Sequence, residues 1–287
     1  MNEFDYFRPA TLDEAVALLG AADASVLAGG TDLIVQMRES LRRPACVVDI
    51  KKIAGLDDFA FDAANGLVLG ALVTTRQVET SPLVQRHYAS LARVATDFAS
   101  IQVRHRATVV GNVCRASPSA DTLPPLIADD AQLRIHGPAG ARRCRLADFC
   151  TGPGRTALAR GEIVTHIEIP APAPRTGKVY LKHGRRAQME LATVGVAAHV
   201  TLAGDGRLAD VAIVLAAVAP TPLRARAAEA LLRGAMPSAQ ALAAAAAQAS
   251  EEARPIGDVR ASAAYRRDMV RVLTERALQQ AIREAQA

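Results

Sequence analysis

Two stretches, far apart along the chain, carry residue types suited to gripping a large anion. In the first, Val26-Leu27-Ala28-Gly29-Gly30-Thr31-Asp32-Leu33-Ile34, a short apolar run stops at two glycines and resumes with helix-like spacing. Paired glycines remove every Cβ from the turn, so backbone N–H groups can close on a bulky anion, and the Thr31 hydroxyl offers one further donor. A diphosphate is the ligand that fits. The same residues also read as a plain strand-to-helix turn, and a lone Gly-Gly-Thr does not choose between the two. The second stretch runs from Ala107 to Pro124. Thr108, Asn112, Ser117 and Ser119 bring short polar side chains, Gly111 permits close backbone approach, and Asp121 is an acceptor for hydroxyl groups. Asp121 has a second reading, as a helix N-cap or first-turn acid ahead of Leu123-Pro124-Pro125-Leu126-Ile127.

The elements that must position these stretches are legible in outline. Thr11-Leu12-Asp13-Glu14 reads as a capping box opening a helix whose stripe is Ala15, Leu18, Leu19 and Ala22. A strand at Val26-Leu27-Ala28, a helix with Leu33, Ile34, Met37 and Leu41 at three- and four-residue spacing, and a buried strand at Cys46-Val47-Val48-Asp49-Ile50 complete a small αβαβ unit. Further on come a strand over 67–73, a short helix capped at Thr74, and a longer helix from Ser81-Pro82 to about Phe98. The segment 101–125 shows no period and is long for a connection, which marks it as a functional loop. Strict alternation over 162–169 puts Ile163, Thr165, Ile167 and Ile169 on one face and His166 outside. Pro170-Ala171-Pro172-Ala173-Pro174 is stiff and extended, and places a domain boundary between residues 1–174 and 175–287. Beyond it two strands flank Gly204-Asp205-Gly206, and helices follow over about 223–233, 238–253 and from Ser262 onwards, the last striped by Met269, Val272, Leu273 and Arg276.

Composition narrows the function classes. The chain has 287 residues, enough for two cores, and an apolar fraction of 50% with only 3% aromatics, so those cores are mainly aliphatic. A formal charge of +5 is spread without a dense basic block, which argues against nucleic acid. Pairs such as Arg42-Arg43, Arg142-Arg143, Arg185-Arg186 and Arg266-Arg267 read as solvated faces or partner contacts. Cys46, Cys114, Cys144 and Cys150 form no Cys-x-x-Cys pair, and six scattered histidines give no zinc-ligand spacing, so free thiols and no metal site are expected. No leader and no apolar run of membrane-spanning length are visible, which points to the cytoplasm. There is no Gly-x-Ser-x-Gly elbow, no His-Glu-x-x-His, and Thr176-Gly177-Lys178 is not a P-loop. Gly204-Asp205-Gly206-Arg207-Leu208-Ala209 imitates a dinucleotide fingerprint, but an Asp-Gly between two apolar runs signals a hairpin, so a nicotinamide site is rejected there.

Taken together in this order, the two stretches resemble the FAD-binding, medium subunits of molybdenum hydroxylases, the family of carbon monoxide dehydrogenase and xanthine dehydrogenase flavoproteins. The likeness extends over nearly the whole chain, through Phe7-Arg8-Pro9-Ala10-Thr11, Lys182-His183-Gly184-Arg185-Arg186, Ala219-Pro220-Thr221-Pro222-Leu223-Arg224-Ala225 and Tyr265-Arg266-Arg267. It implies an α+β fold: a two-subdomain FAD-binding domain of the vanillyl-alcohol oxidase type, then a small α/β C-terminal domain in which a helical bundle packs an antiparallel sheet. It implies FAD as cofactor, with Leu27, Ala28, Gly29, Gly30, Thr31, Asp32, Leu33, Ile34, Thr108, Val110, Gly111 and Asn112 around the diphosphate. Ser117 is then expected at the cofactor, Asp121 on FAD hydroxyls, Val164 and Lys182 beside the flavin, and Leu191 over one ring face. The lysine ammonium is expected to stabilise negative charge on the reduced ring. The expected partners are a large molybdenum-cofactor subunit and a small iron-sulfur subunit in a dimerising heterotrimer, with NAD, quinone or oxygen as external acceptor. Two residues depart from the family pattern. Leu191 cannot stack as an aromatic would, and Val109-Val110-Gly111 has one glycine where the family frequently has two. A self-sufficient FAD oxidase of the vanillyl-alcohol oxidase type and a flavin-free scaffold subunit are the rival readings.

Overall fold

The computed structural model describes residues 3–21, 23–186 and 189–287; Ala22, assigned above to the first helical stripe, lies outside the described residues. The chain opens with β1 (Asp5–Phe7), α1 (Leu12–Ala21), β2 (Ala24–Leu27), α2 (Leu33–Arg38) and β3 (Cys46–Asp49). The three strands form a parallel sheet in the order β1-β3-β2. The central strand β3 is buried along its whole length, as a strand covered on both faces must be. The capping box is present: the Glu14 N–H donates to Thr11 Oγ1 at 3.2 Å and the Thr11 N–H to Glu14 Oε2 at 3.3 Å.

The next segment comprises β4 (Phe59–Asp62), β5 (Gly66–Gly70), α3 (Thr75–Thr80), α4 (Pro82–His87), α5 (Ala89–Asp97), α6 (Ile101–Arg104), α7 (Val109–Arg115) and α8 (Leu123–Ala128). It continues through β6 (Gln132–Gly137), β7 (Gly140–Arg145), α9 (Leu146–Phe149), β8 (Cys150–Gly152), β9 (Arg155–Thr156) and β10 (Ile163–Ile169). Strands β4-β5-β10-β6-β7 form an antiparallel five-stranded sheet.

Three sequence expectations fail here for physical reasons. The long helix to Phe98 breaks at Tyr88, whose ring is fully buried and whose hydroxyl donates to the carbonyls of Ile169 (3.3 Å) and Pro170 (3.0 Å). The aperiodic stretch 101–125 is not a loop but holds α6, α7 and the start of α8, each too short to display a helical period. In β10 a bulge lies between Val164 and His166: Val164 pairs with Ile135 and Ile167 with Leu133, so Val164 joins Ile167 on the core face. Ile163 pairs with His136 on the other face, where it is also buried, and His166 is not outside but half-buried, with Nε2 3.0 Å from the Gly55 carbonyl.

The last part consists of β11 (Thr176–His183), β12 (Val194–Leu202), β13 (Leu208–Ala216), β14 (Leu223–Arg224), α10 (Arg226–Leu232), α11 (Ala239–Glu252) and α12 (Ala263–Gln286). Its four strands are antiparallel in sequence order, and a tight turn with Gly206 at φ +85° joins β12 to β13 where the hairpin was expected. Alternate residues of this sheet serve two cores. Val194, Val196, Ala198 and Val200 pack under α10, α11 and α12, while Tyr180, Ala197, Ala212 and Val214 join the core of the preceding segment. Arg266, expected in solvent, is 1% exposed; its guanidinium donates to the carbonyls of Thr193 (2.7 Å) and Ala217 (2.9 Å) and pairs with Asp258 at 2.7 Å. The buried stripe of α12 accordingly runs through Arg266, Val270, Leu273 and Ala277, about one residue off the expected one. Among the described residues no helix is long and apolar enough to cross a membrane.

Candidate functional site

The two anion-gripping stretches meet. Both bends line one cleft of about 1140 Å³, at or above the upper end of the ~300–1000 Å³ usual for ligand pockets. The first bend leaves β2, turns at Gly30 (φ +74°), a left-handed conformation suited to glycine, and enters α2. Gly29 serves a different purpose from the one its sequence suggests. A Cβ there would lie 1.9 Å from the Arg106 carbonyl oxygen and 3.1 Å from the Ala107 Cα, so the missing side chain is what lets the second bend close against the first. Leu27 and Ile34 do not line the cleft; they flank Gly30 and belong to the small core with Leu33, Met37 and Val47.

The second bend is set by Thr108, which caps α7 by accepting the Gly111 N–H on Oγ1 at 3.0 Å. Its backbone is stitched to the strand-to-helix junction before α3, where the Thr75 N–H donates to the Ala107 carbonyl (2.8 Å) and the Val109 N–H to that of Val73 (3.2 Å). Val110, the residue standing where a second glycine was looked for, is 4% exposed and packs into the core. Asn112 accepts the Thr122 hydroxyl at 2.6 Å, and Ser117 accepts the Ser119 N–H at 3.3 Å. A bridge from Arg115 Nε to Asp32 Oδ2, 2.7 Å, ties the end of α7 to the first bend.

Asp121 is 7% exposed and lies in the cleft wall. It caps nothing, since Thr122 holds the N-cap position of α8. Both carboxylate oxygens are gripped from β11, Oδ1 by the Tyr180 hydroxyl at 2.8 Å and Oδ2 by Lys182 Nζ at 2.6 Å. Burial raises the Asp121 pKa, the Lys182 charge and both hydrogen bonds oppose it, and the net shift is upward. Lys182, expected beside the flavin, does not line the cleft but a smaller polar pocket of about 380 Å³, and meets the cleft wall only through Asp121. Val164 lines the cleft together with Ile163, and Leu191 stands at the rim, 57% exposed, beside Met189 and Glu190.

Sequence reasoning missed several cleft residues. Phe98 is the one aromatic ring lining the cleft among the described residues, and no local spacing marks it. Ser25, in β2, is 2% exposed and its hydroxyl has no partner among the described residues, so a ligand donor or acceptor reaching that end would satisfy it. Cys114 also borders the cleft, and burial first, then Cys150, pushes its thiol up to about 12. A long cleft with side-chain-poor bends, short hydroxyls and a gripped carboxylate suits an elongated ligand with a diphosphate in the middle and sugar hydroxyls beside it. Among the described residues no group of three or more His, Cys, Asp or Glu is placed to hold a metal ion.

Comparison with known proteins gives the same answer along the whole chain. The family model described as the FAD binding domain in molybdopterin dehydrogenase matches residues 2–172, and that of the CO dehydrogenase flavoprotein C-terminal domain matches residues 179–281. The chain is 33% identical over 282 residues to the putative xanthine dehydrogenase FAD-binding subunit of Escherichia coli K12, covering 98% of this chain and 96% of that protein. It is 33% identical over 277 residues to the carbon monoxide dehydrogenase medium chain of Hydrogenophaga pseudoflava, 96% of each. Among solved structures, carbon monoxide dehydrogenase from Hydrogenophaga pseudoflava superposes with a TM-score of 0.94 at 35% identity, covering 99% of this chain and 98% of that one. Quinoline 2-oxidoreductase from Pseudomonas putida 86 superposes with a TM-score of 0.92 at 30% identity, covering 100% and 99%.

Proposed function

Because this chain belongs to the family of FAD-binding subunits of molybdopterin dehydrogenases, we propose that it holds FAD in the cleft between its two bends and serves as the electron-transfer subunit of a multi-subunit molybdenum hydroxylase. A large subunit carrying the molybdenum cofactor oxidises the substrate, and a small iron-sulfur subunit passes electrons singly to this chain. The assembly is a heterotrimer that dimerises, works in the cytoplasm, and hands electron pairs to NAD, quinone or oxygen. FAD, when bound, supplies the step between one-electron delivery and two-electron release; the protein's part is to bind, orient and shield it.

The closure of Gly29 on Arg106 carries this reading, because it brings the two side-chain-poor bends to one wall of one cleft. Ala28 to Leu33 with Thr108, Val110, Gly111 and Asn112 surround the diphosphate, while Leu27 and Ile34 brace the first bend from behind. Asp121 would accept from FAD hydroxyls, with Ser117 in the same wall, Val164 would cover the flavin side of the cleft, and Leu191 would shield its rim. Lys182 acts through Asp121, as the cation that opposes the upward push of burial on this carboxyl. We divide the chain at residues 174 and 175, with the second domain lending Tyr180 and Lys182 to the first. A self-sufficient oxidase with covalent flavin finds less support: no histidine lines the cleft among the described residues, and the Cys114 thiol is held protonated, which makes it a poor nucleophile.

The test is affinity purification of the tagged chain from its native host, with mass spectrometry and flavin and metal analysis. Stoichiometric FAD, molybdenum and iron should co-purify, and the isolated chain should not oxidise organic substrates. Steady turnover by the chain alone, or a complete complex without flavin, would overturn the proposal.

A further inference from the structure

We propose that Tyr180 is a positioning residue for the cofactor site, fixing the Asp121 carboxylate at the cleft wall from the neighbouring sheet; this rests on the reading of the cleft as the FAD site. Tyr180 and Lys182 are two apart on β11 and so project from one face of it. Each takes one oxygen of Asp121, at 2.8 and 2.6 Å. Each oxygen keeps a second lone pair, so the carboxylate can still accept hydroxyl groups from a molecule in the cleft. The phenol is 3% exposed, and the neighbouring strand is hollowed for it. Gly195 on β12, paired with Lys182, would place a Cβ only 2.5 Å from the Tyr180 hydroxyl oxygen. A phenylalanine would fill the same core with the same ring, so the hydroxyl and the glycine that admits it are accounted for by the bond to Asp121.

That role has a signature that mere core filling lacks. The charged groups facing Asp121 are Lys182 from its own side of β11 and Asp97 from α5, and the phenol is the neutral donor among them. Burial already raises the carboxylate pKa, and Tyr180 opposes that rise. Without the hydroxyl the pKa climbs further, so Asp121 is protonated, and weakened as an acceptor, at a higher pH. FAD affinity should therefore fall on acidification, and fall earlier in a variant without the phenol.

The experiment is FAD titration across pH of the full chain in complex with its partner subunits, for the parent and for Tyr180→Phe, with far-ultraviolet circular dichroism as the folding control. Tyr180→Phe should stay folded, bind FAD about tenfold more weakly at neutral pH, and lose affinity at a higher pH than the parent. Unchanged affinity and an unchanged pH profile would overturn the role of Tyr180. If Tyr180→Phe does not fold, Gly195→Ala decides the matter: its methyl group displaces the phenol oxygen and leaves Asp121 and Lys182 in place. The same upward pH shift is expected, and the parent profile would refute the proposal. A parent complex that takes up no FAD would instead sink the reading of the cleft itself.

Discussion

At the scale of single residues, two buried carboxylates on either side of α8 show what separates a working group from a structural one. Asp129 is paired with Lys178 Nζ at 2.5 Å and lies 3.1 Å from His199 Nδ1, whose Nε2 is in turn 2.8 Å from Ser90 Oγ. Burial pushes Asp129 up, but His199 and Lys178 outweigh it and the net shift is downward. A depressed folded pKa means stability present at neutral pH and lost as pH falls through that value, below the ordinary carboxylate range. Asp121 has the opposite sign. Its raised pKa makes the ionised form costly to the fold as pH rises through that value, which is the expected mark of a group kept for binding and not for stability. Removing one partner of the Asp129 network leaves a buried charge undercompensated. Lys178→Met should therefore lower unfolding free energy by about 3–5 kcal/mol in denaturant titration at neutral pH, a deficit that shrinks on acidification as the uncompensated Asp129 takes up a proton; a loss near zero at neutral pH would show that Lys178 contributes little there. Neither network was legible in the sequence, because Asp129, Lys178 and His199 are brought together only when β11 and β12 pack on α8.

At the scale of elements, the glycine bend was legible but its reason was not. The sequence suggested that Gly29 and Gly30 both open space for a ligand. Gly30 does take the left-handed turn, whereas Gly29 yields its Cβ to the backbone of residues 106 and 107. Gly111 differs again: a Cβ there would meet the Thr108 hydroxyl, at 2.8 Å, and no neighbouring backbone. Gly29→Ala should thus cost about 1–3 kcal/mol, as overpacking does, and deplete bound flavin, while Gly111→Ala costs less. Thermal melts ranking Gly111→Ala as the more damaging would contradict this account of how the bends close. The β10 bulge was equally invisible, because regular alternation in 162–169 cannot reveal one extra residue; only the pairing with β6 shows that Val164, opposite Ile135, shares a face with Ile167, while Ile163, opposite His136, is buried from the other side. The short helices α6 and α7 escaped for want of length, although the caps that start them, Ser100 and Thr108, were present in the sequence.

At the scale of the whole molecule, the four-stranded sheet is the hinge of the design. Its strands read as near-continuous apolar runs because they are covered on both faces, by α10 to α12 on one and by the preceding segment on the other. The composition, the hairpin at Gly204-Asp205-Gly206 and the stiff proline segment made the order of the two halves readable. That Tyr180 reaches back to grip Asp121 in the cleft wall was not, since nothing in local spacing links residues 121 and 180; Lys182 was expected at the site only through the family resemblance. A cofactor site completed across this boundary ties flavin retention to the integrity of both halves. The most direct test is diffraction from crystals of the full chain soaked with FAD. Density for one flavin should fill the cleft, its diphosphate between the bend at Gly29-Gly30 and the start of α7, with a sugar hydroxyl on Asp121. A cleft still empty at saturating FAD, or a flavin bound elsewhere, would contradict the account.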